Sequence, residues 1–246
     1  MKSEIKALRD LLSKSNRVVI FTGAGISTES GIPDFRGPQG LWKTVSPIDF
    51  SEFISSEEKR RERWSRQFNS GNEMSRAQPN LGHMAVAKLV AVGKVSHVIT
   101  QNVDGLHQKS GIPDELIIEL HGNSSYAKCL QCEKRFELLP LKTKFLANGT
   151  LPICDVCGGI VKTATISFGQ PMPIHAMQSA DEAALSCDLF IAIGSSLQVF
   201  PAASLPKVAK NAGAKLAIIN NEATDLDAVC DLVIHAQIGE TLSAVI

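Results

Sequence analysis

Short, β-branched apolar runs recur along the chain at intervals that leave room for a helix between them, and this alternation constrains the fold more than any other feature. The runs are Val18 to Phe21, Val95 to Thr100, Leu116 to Leu120, Thr165 to Phe168, Leu189 to Ile193, Leu216 to Ile219 and Leu232 to Ile234. Near-continuous hydrophobicity marks strands that are covered on both faces. Helix-period segments at 80–92, 173–185 and 201–211 separate several of them; the last two open on Pro173 and Pro201, and the fixed φ of proline suits a first helical turn. Strand and helix in alternation predict an α/β fold built on a Rossmann-like, doubly wound parallel sheet.

Two stretches interrupt the alternation and are expected to form a smaller inserted domain: a polar, partly helical module at 33–85 and a cysteine-bearing segment at 123–160. That leaves 1–32, 86–122 and 161–246 to the Rossmann-like domain. In the first stretch the charge-dense run Glu57 to Arg63 reads as a solvated helix face, with Trp64 and Phe68 turned inward at i, i+4. In the second, Cys129-x-x-Cys132 and Cys154-x-x-Cys157 have the paired spacing of a zinc ribbon. With four protein ligands no position remains for an activated water, so the expected metal is structural. The other two cysteines, Cys187 and Cys230, stand singly, and the pattern suits metal ligation in a reducing compartment, not a disulfide framework. No apolar run approaches the roughly 20 residues of a membrane helix. A cytoplasmic protein without a membrane segment is therefore expected. Lys plus Arg and Asp plus Glu balance at 25 each, so no overall field draws the chain to nucleic acid.

The first strand runs into Thr22-Gly23-Ala24-Gly25-Ile26-Ser27. Two glycines let the backbone approach a pyrophosphate, and a following helix N-terminus favours its charge; a tight turn is the alternative. A dehydrogenase fingerprint would add a third glycine, where this chain has Thr28, and an acidic residue about 20 positions on, where Lys43-Thr44-Val45-Ser46-Pro47 supplies none. A dinucleotide is compatible with the loop, whereas hydride transfer is disfavoured. Next, Gly31-Ile32-Pro33-Asp34-Phe35-Arg36-Gly37 sets an acid, a ring and a guanidinium in a turn-rich loop. Arg36 can clamp phosphate oxygens and Phe35 can cover a ribose, unless the segment is a plain surface loop.

Strand 95–100 leads into Gln101-Asn102-Val103-Asp104-Gly105-Leu106-His107, placing two amides and a carboxylate where open α/β sheets bind ligands. Asp104 reads equally as the cap of a helix holding Leu106 and His107. Strand 116–120 delivers His121-Gly122, and an imidazole suits a base near neutrality, although a solitary histidine is more often structural than catalytic. His83, His97, His107, His175 and His235 read as packing or surface residues. Ile193-Gly194-Ser195-Ser196-Leu197 and Ile219-Asn220-Asn221-Glu222 follow apolar strands and suit an adenosine with its ribose, or are plain turns.

Taken together, G-A-G-I-S, G-I-P-D-F-R-G, T-Q-N-V-D-G-L-H, H-G, the paired C-x-x-C, F-G-Q, G-S-S-L-Q-V-F-P-A and I-N-N-E resemble the sirtuin family in content and order over nearly the whole chain. The resemblance implies an active-site cleft between a large and a small domain, which an acyl-lysine peptide and NAD enter from opposite sides. NAD is then consumed, not reduced: the acyl oxygen displaces nicotinamide, and deacylated lysine and an acyl-ADP-ribose ester are released. It implies His121 as catalytic base together with Asn102. Ala24, Ser27, Ile32, Asn102 and Asp104 would shape the nicotinamide pocket, and Gly23, Gly25, Asp34, Arg36 and Gln101 the phosphate and ribose contacts, with Phe35 shielding the reactive intermediate. Gly194, Ser195, Ser196, Asn220, Asn221 and Glu222 would take the adenosine end. Ser167, Phe168 and Gly169 would lie on a strand pairing with the substrate backbone, with Val199 opposite.

Where the family often shows Arg-Pro or Lys-Pro and F-G-E, this chain has Lys162-Thr163 and Phe168-Gly169-Gln170. The family's Tyr-x-x-Arg pair for acidic acyl groups has no counterpart at Tyr126, which Cys129 follows, so acetyl or a longer uncharged acyl chain is expected. Two other functions are weighed: mono-ADP-ribosyl transfer to protein, and a zinc-ribbon adaptor without turnover. Against the adaptor stand the zero net charge and the poor stacking platform for bases that Tyr126 and Phe136 of the ribbon offer.

Overall fold

A computed structural model of the chain describes residues 2–37, 40–69, 74 and 76–246. Helix α1 (Lys2–Lys14) turns Leu8 and Leu12 inward and leads to β1 (Val18–Thr22), which is buried throughout. After a 3-10 segment at Ala24–Ser30 come α2 (Phe50–Ser55), closed at its start by an Asp49/Glu52 capping box, and α3 (Glu57–Asn69). Asn80 caps α4 (Leu81–Ala91) through Gly82 and His83 N–H, and β2 (Val95–Thr100) follows. A short helix α5 (Leu106–Lys109) and β3 (Ile117–Glu119) complete the first half. Strands β4 (Gly122–Cys129) and β5 (Arg135–Glu137), helix α6 (Leu138–Asn148) and strand β6 (Val161–Thr165) form the excursion. The chain then runs through α7 (Ile174–Ser186), β7 (Leu189–Ile193), α8 (Leu205–Asn211), β8 (Lys215–Ile219), β9 (Leu232–Ile234) and α9 (Ile238–Ser243).

Six strands pair in the order β3-β2-β1-β7-β8-β9, every neighbouring pair parallel. This is the doubly wound α/β topology expected from the alternation. Because side chains alternate across a strand, Val18 and Ile20 face one core while Val19 and Phe21 face the other. The first core is closed by α1, α4 and α9 through Leu8, Leu12, Val86, Leu89, Ile238 and Leu242. The second is closed by α7 and α8, whose Ala180, Ala183, Ala184 and Ala209 let the helices sit close to Phe190 and Leu216. Among the described residues no helix is long and apolar enough to cross a membrane.

The excursion forms a three-stranded sheet, β5-β4-β6. Trp64 and Phe68 of α3 stack at 5.1 Å and share a core with Ala127, Cys129, Cys154 and Val161, so the helical module and the cysteine segment pack as one body. Two expectations need correction. The strand expected at Thr165 to Phe168 is β6, Val161–Thr165, and it pairs antiparallel with β4 outside the main sheet, past the boundary expected at 160. Ser167, Phe168 and Gly169 therefore do not lie on a strand; they follow β6 in a turn closed by Gln170 N–H to Ser167 O at 3.0 Å.

Candidate active site

Strand order reverses at β1, whose two neighbours are β2 and β7, and the carboxyl ends there open onto a cavity of about 1270 Å³. Two loops meet at its floor. Gly25 N–H donates to Gly194 O at 2.8 Å, and Gly23 N–H to Ile193 O at 3.0 Å. A Cβ on Gly194, which sits at φ +62°, would lie 2.4 Å from Ile26 N; one on Gly23 would lie 2.7 Å from Gly194 O. These glycines thus serve first to let the two loops touch. Gly194→Ala is expected to destabilise the fold by about 2–4 kcal/mol, read as a lowered thermal midpoint.

His121 follows β3 and lines the cavity. Its Nδ1 lies 3.0 Å from Gln101 O, and a carbonyl can only accept, so Nδ1 carries the proton and Nε2 keeps its lone pair. Burial lowers the imidazole pKa below its ordinary 6.5, with the Gln101 carbonyl acting in the opposite sense. The ring is thus a neutral base at pH 7. Gly122 is fixed by close approach: a Cβ there would stand 1.9 Å from Ala164 O, because β6 passes over it and Ile166 N–H bonds His121 O at 2.8 Å.

Around this base the side chain of Asn102 is buried and donates Nδ2 to Gly23 O at 3.0 Å and to Ser27 Oγ at 3.3 Å. Ser27 Oγ donates in turn to Asp104 Oδ2 at 2.7 Å, while Asp104 Oδ1 accepts Leu106 N–H at 2.9 Å. Asp104 thus braces Ser27 and accepts the first N–H of α5, whose N-cap position is held by Gly105. Gln101 reaches the opposite wall, accepting from Ser195 Oγ at 2.7 Å. Ala24, Gly25, Asp34, Phe35, Arg36, Gln101, Asn102, His121, Ser167, Phe168, Gly169, Gly194, Ser195, Ser196, Val199, Asn220, Asn221 and Glu222 all line the cavity. Gly23, Ser27, Ile32 and Asp104 are not among the lining residues and sit behind its wall.

Several lining residues were not singled out from sequence. Trp42 packs on Phe35 at 5.0 Å, under the Arg36 guanidinium at 4.6 Å and edge-on to Phe168 at 5.2 Å, tying the Phe35 loop to the turn after β6. One tryptophan seven residues beyond Phe35 in a turn-rich loop was a usable signal. Lys59, Glu62, Arg63 and Arg66 of α3 also face the cavity, so this part of the charged helix is not simply a solvated face. Ile166 and Phe200 also contribute apolar lining.

Apart from the cavity, Cys129 and Cys157 place Sγ atoms 3.4 Å apart, Cys132 and Cys154 3.5 Å, and all four sulfurs lie within 4.8 Å of one another. A zinc tetrahedron with Zn–S of about 2.3 Å separates its sulfurs by about 3.8 Å. Backbone N–H groups, chiefly that of Cys132, favour the Cys129 thiolate, whereas the neighbouring thiols raise Cys157 and Cys132, as four close sulfurs do until a cation shares their charge. Donor chemistry and spacing both fit a structural zinc ion.

A model of the Sir2 family matches residues 23–201. A protein named NAD-dependent protein deacetylase from Rhodopseudomonas palustris is 52% identical over 242 residues, covering 98% of this chain and 96% of that one. NAD-dependent protein deacylase 2 of Archaeoglobus fulgidus is 40% identical, with 100% and 96% covered. Among solved structures, a Sir2 variant with a deacetylated p53 peptide and 3'-O-acetyl ADP ribose superimposes with a TM-score of 0.89 at 37% identity, covering 98% of this chain and 97% of that one. Sir2 with a p53 peptide and NAD gives 0.85 at 37% identity, covering 98% and 96%.

Proposed function

This chain belongs to the Sir2 family, and from that premise we propose that it is an NAD-dependent protein lysine deacylase whose base is His121. The observation that carries the assignment of the base is its geometry: an imidazole with Nδ1 tied to Gln101 O, neutral at pH 7, lining the same cavity as Asn102, Gly25 and Ser195. Bound NAD supplies the electrophile, a ribose carbon from which nicotinamide departs as the acyl oxygen attacks. His121 Nε2 would then take a proton from a ribose hydroxyl, whose oxygen attacks the acyl carbon; the bond from that carbon to the lysine nitrogen breaks, and water adds to give free lysine and acyl-ADP-ribose.

Asn102, held through Nδ2, keeps Oδ1 for the nicotinamide end, and Ser27, Ile32 and Asp104 act from behind the wall to hold that pocket. Arg36, stacked on Trp42 and at the cavity edge, is placed to meet phosphate oxygens. Ser195 and Gln101 brace the floor under the ribose, and Gly194, Ser196, Asn220, Asn221 and Glu222 receive the adenosine end. The acyl-lysine peptide enters between the Ser167–Gly169 turn and Val199, over exposed Phe168. Free Cys187 and Cys230 and four thiols arranged for metal support a cytoplasmic location. The main sheet with its two cores supports a large NAD-binding domain, and the shared core of α3 and the cysteine segment supports a small one.

The test mixes protein, NAD and an acetyl-lysine peptide. One nicotinamide, one deacetylated peptide and one acetyl-ADP-ribose per NAD consumed is the expected stoichiometry. Protein-linked ADP-ribose with no deacetylation, seen by mass spectrometry, would assign mono-ADP-ribosyl transfer instead, and no nicotinamide release at all would leave the adaptor.

A further inference from the structure

Beneath Asn102 lies a set of polar side chains that the chemistry above does not use: Thr22, Thr100, His107 and His83, exposed by 0%, 3%, 2% and 0%. Both ends of the segment carrying Asn102 close on one residue. At the start, Gln101 N–H donates to Thr22 O at 2.9 Å; at the end, His107 Nε2 lies 2.9 Å from Thr22 Oγ1. The Thr22 hydroxyl donates to Thr100 Oγ1 at 2.9 Å, and Thr100 Oγ1 also accepts the Asn102 backbone N–H at 3.0 Å. With its single hydrogen given to Thr100, Thr22 Oγ1 accepts from His107 Nε2–H, which sets the tautomer. Burial depresses the His107 pKa to about 3, so this donor is unchanged across the neutral range.

The ring of His107 packs on that of His83 at 5.1 Å. His107 Nδ1 and His83 Nε2 are buried without a hydrogen-bond partner among the described residues. Burying unmatched ring nitrogens is unfavourable, and an apolar side chain would fill the space without that cost. What an apolar side chain would not replace is the bond to Thr22. We infer that His107 is a positioning residue for Asn102: through Thr22 and Thr100 it clamps the Gln101–Gly105 turn so that the Asn102 amide is presented to the nicotinamide end of the cavity. The inference rests on the assignment of Asn102 to that end.

Four variants test it: His107→Leu, Thr22→Val, their double, and His107→Gln, whose Nε2 can still donate to Thr22. His107→Leu and Thr22→Val should each lower kcat for nicotinamide release by roughly 30- to 100-fold, the scale of a small misplacement, with KM for acetylated peptide within about threefold. Each should speed hydrogen exchange at the Asn102 amide by at least about tenfold, while His107→Gln recovers most of the rate and the protection. The double variant should be no slower than the worse single one, because both break one connection. Multiplying losses, an unaltered Asn102 exchange rate, or a His107→Gln variant as impaired as His107→Leu would each overturn the assignment. The exchange measurement needs no turnover. It decides the clamp even if the unaltered protein releases no nicotinamide, a result that would sink the deacylase reading separately.

Discussion

His121→Ala should reduce deacylation by about 10²- to 10⁴-fold, the range for loss of a positioned general base, while the zinc content and thermal midpoint stay close to those of the unaltered protein. The ring is partly buried and makes one hydrogen bond, Nδ1–H to Gln101 O, so truncation removes little packing. The loss should fall on kcat, since the ring is assigned to proton removal and not to holding NAD. Its pH dependence has a fixed sign. Burial favours the neutral ring, so the pKa lies below 6.5, and a base is active when unprotonated. Deacylation should therefore be flat above pH 6.5 and decline only below it, with the acid limb displaced downward from that of a free imidazole. A limb above 6.5, or an alanine variant with full turnover, would remove His121 from the role.

The parts of the fold that were legible in sequence are those that obey hydrophobic periodicity. Strand β2 ends where expected, at Val95 and Thr100, because an apolar run there is bounded by Lys94 and Gln101. Strand β6 was misplaced because it buries polar residues. Thr163 faces Arg63, whose guanidinium lies 3.2 Å from its hydroxyl, and Lys162 is buried with Nζ donating to Thr165 O. Burial pushes that ammonium down to about 7, and no apolar pattern could announce such a strand. The charged face of α3 misled for a related reason: a helix facing a wet cavity and one facing bulk water carry the same residue types. Sequence spacing holds no information on depth, and so does not separate Ala24 and Asn102, which line the cavity, from Ser27, Ile32 and Asp104, which are not among its lining residues. His107 and His83 read from sequence as packing or surface residues, because the buried hydrogen-bond chain through Thr22, Thr100 and His107 exists only once two strands and a helix are assembled.

Removing the metal should collapse the small body while the main sheet persists. The core around the cysteines is small, and two of its six fully buried members, Cys129 and Cys154, are themselves thiols of the four-sulfur cluster. Such a unit has little apolar surface with which to offset the entropy of ordering α3, β4, β5 and β6. Zinc supplies the difference, since structural sites of this kind bind with ~10–16 kcal/mol. A strong chelator, or Cys132→Ala, should therefore release the stacking of Trp64 on Phe68, seen as a loss of near-ultraviolet dichroism and a red-shifted tryptophan emission. Far-ultraviolet dichroism should keep the larger part of its amplitude, because the two cores on either side of the parallel sheet contain none of the four ligands. Deacylation should vanish together with the tertiary signal: α3 supplies Lys59, Glu62, Arg63 and Arg66 to the cavity, and β6 carries the turn that holds Phe168 against Trp42. Cys187→Ser and Cys230→Ser should leave the metal content unchanged, as neither residue belongs to the cluster. A metal-free protein that unfolds in a single transition at an unaltered midpoint would show that the shared core of α3 and the ribbon suffices without the ion.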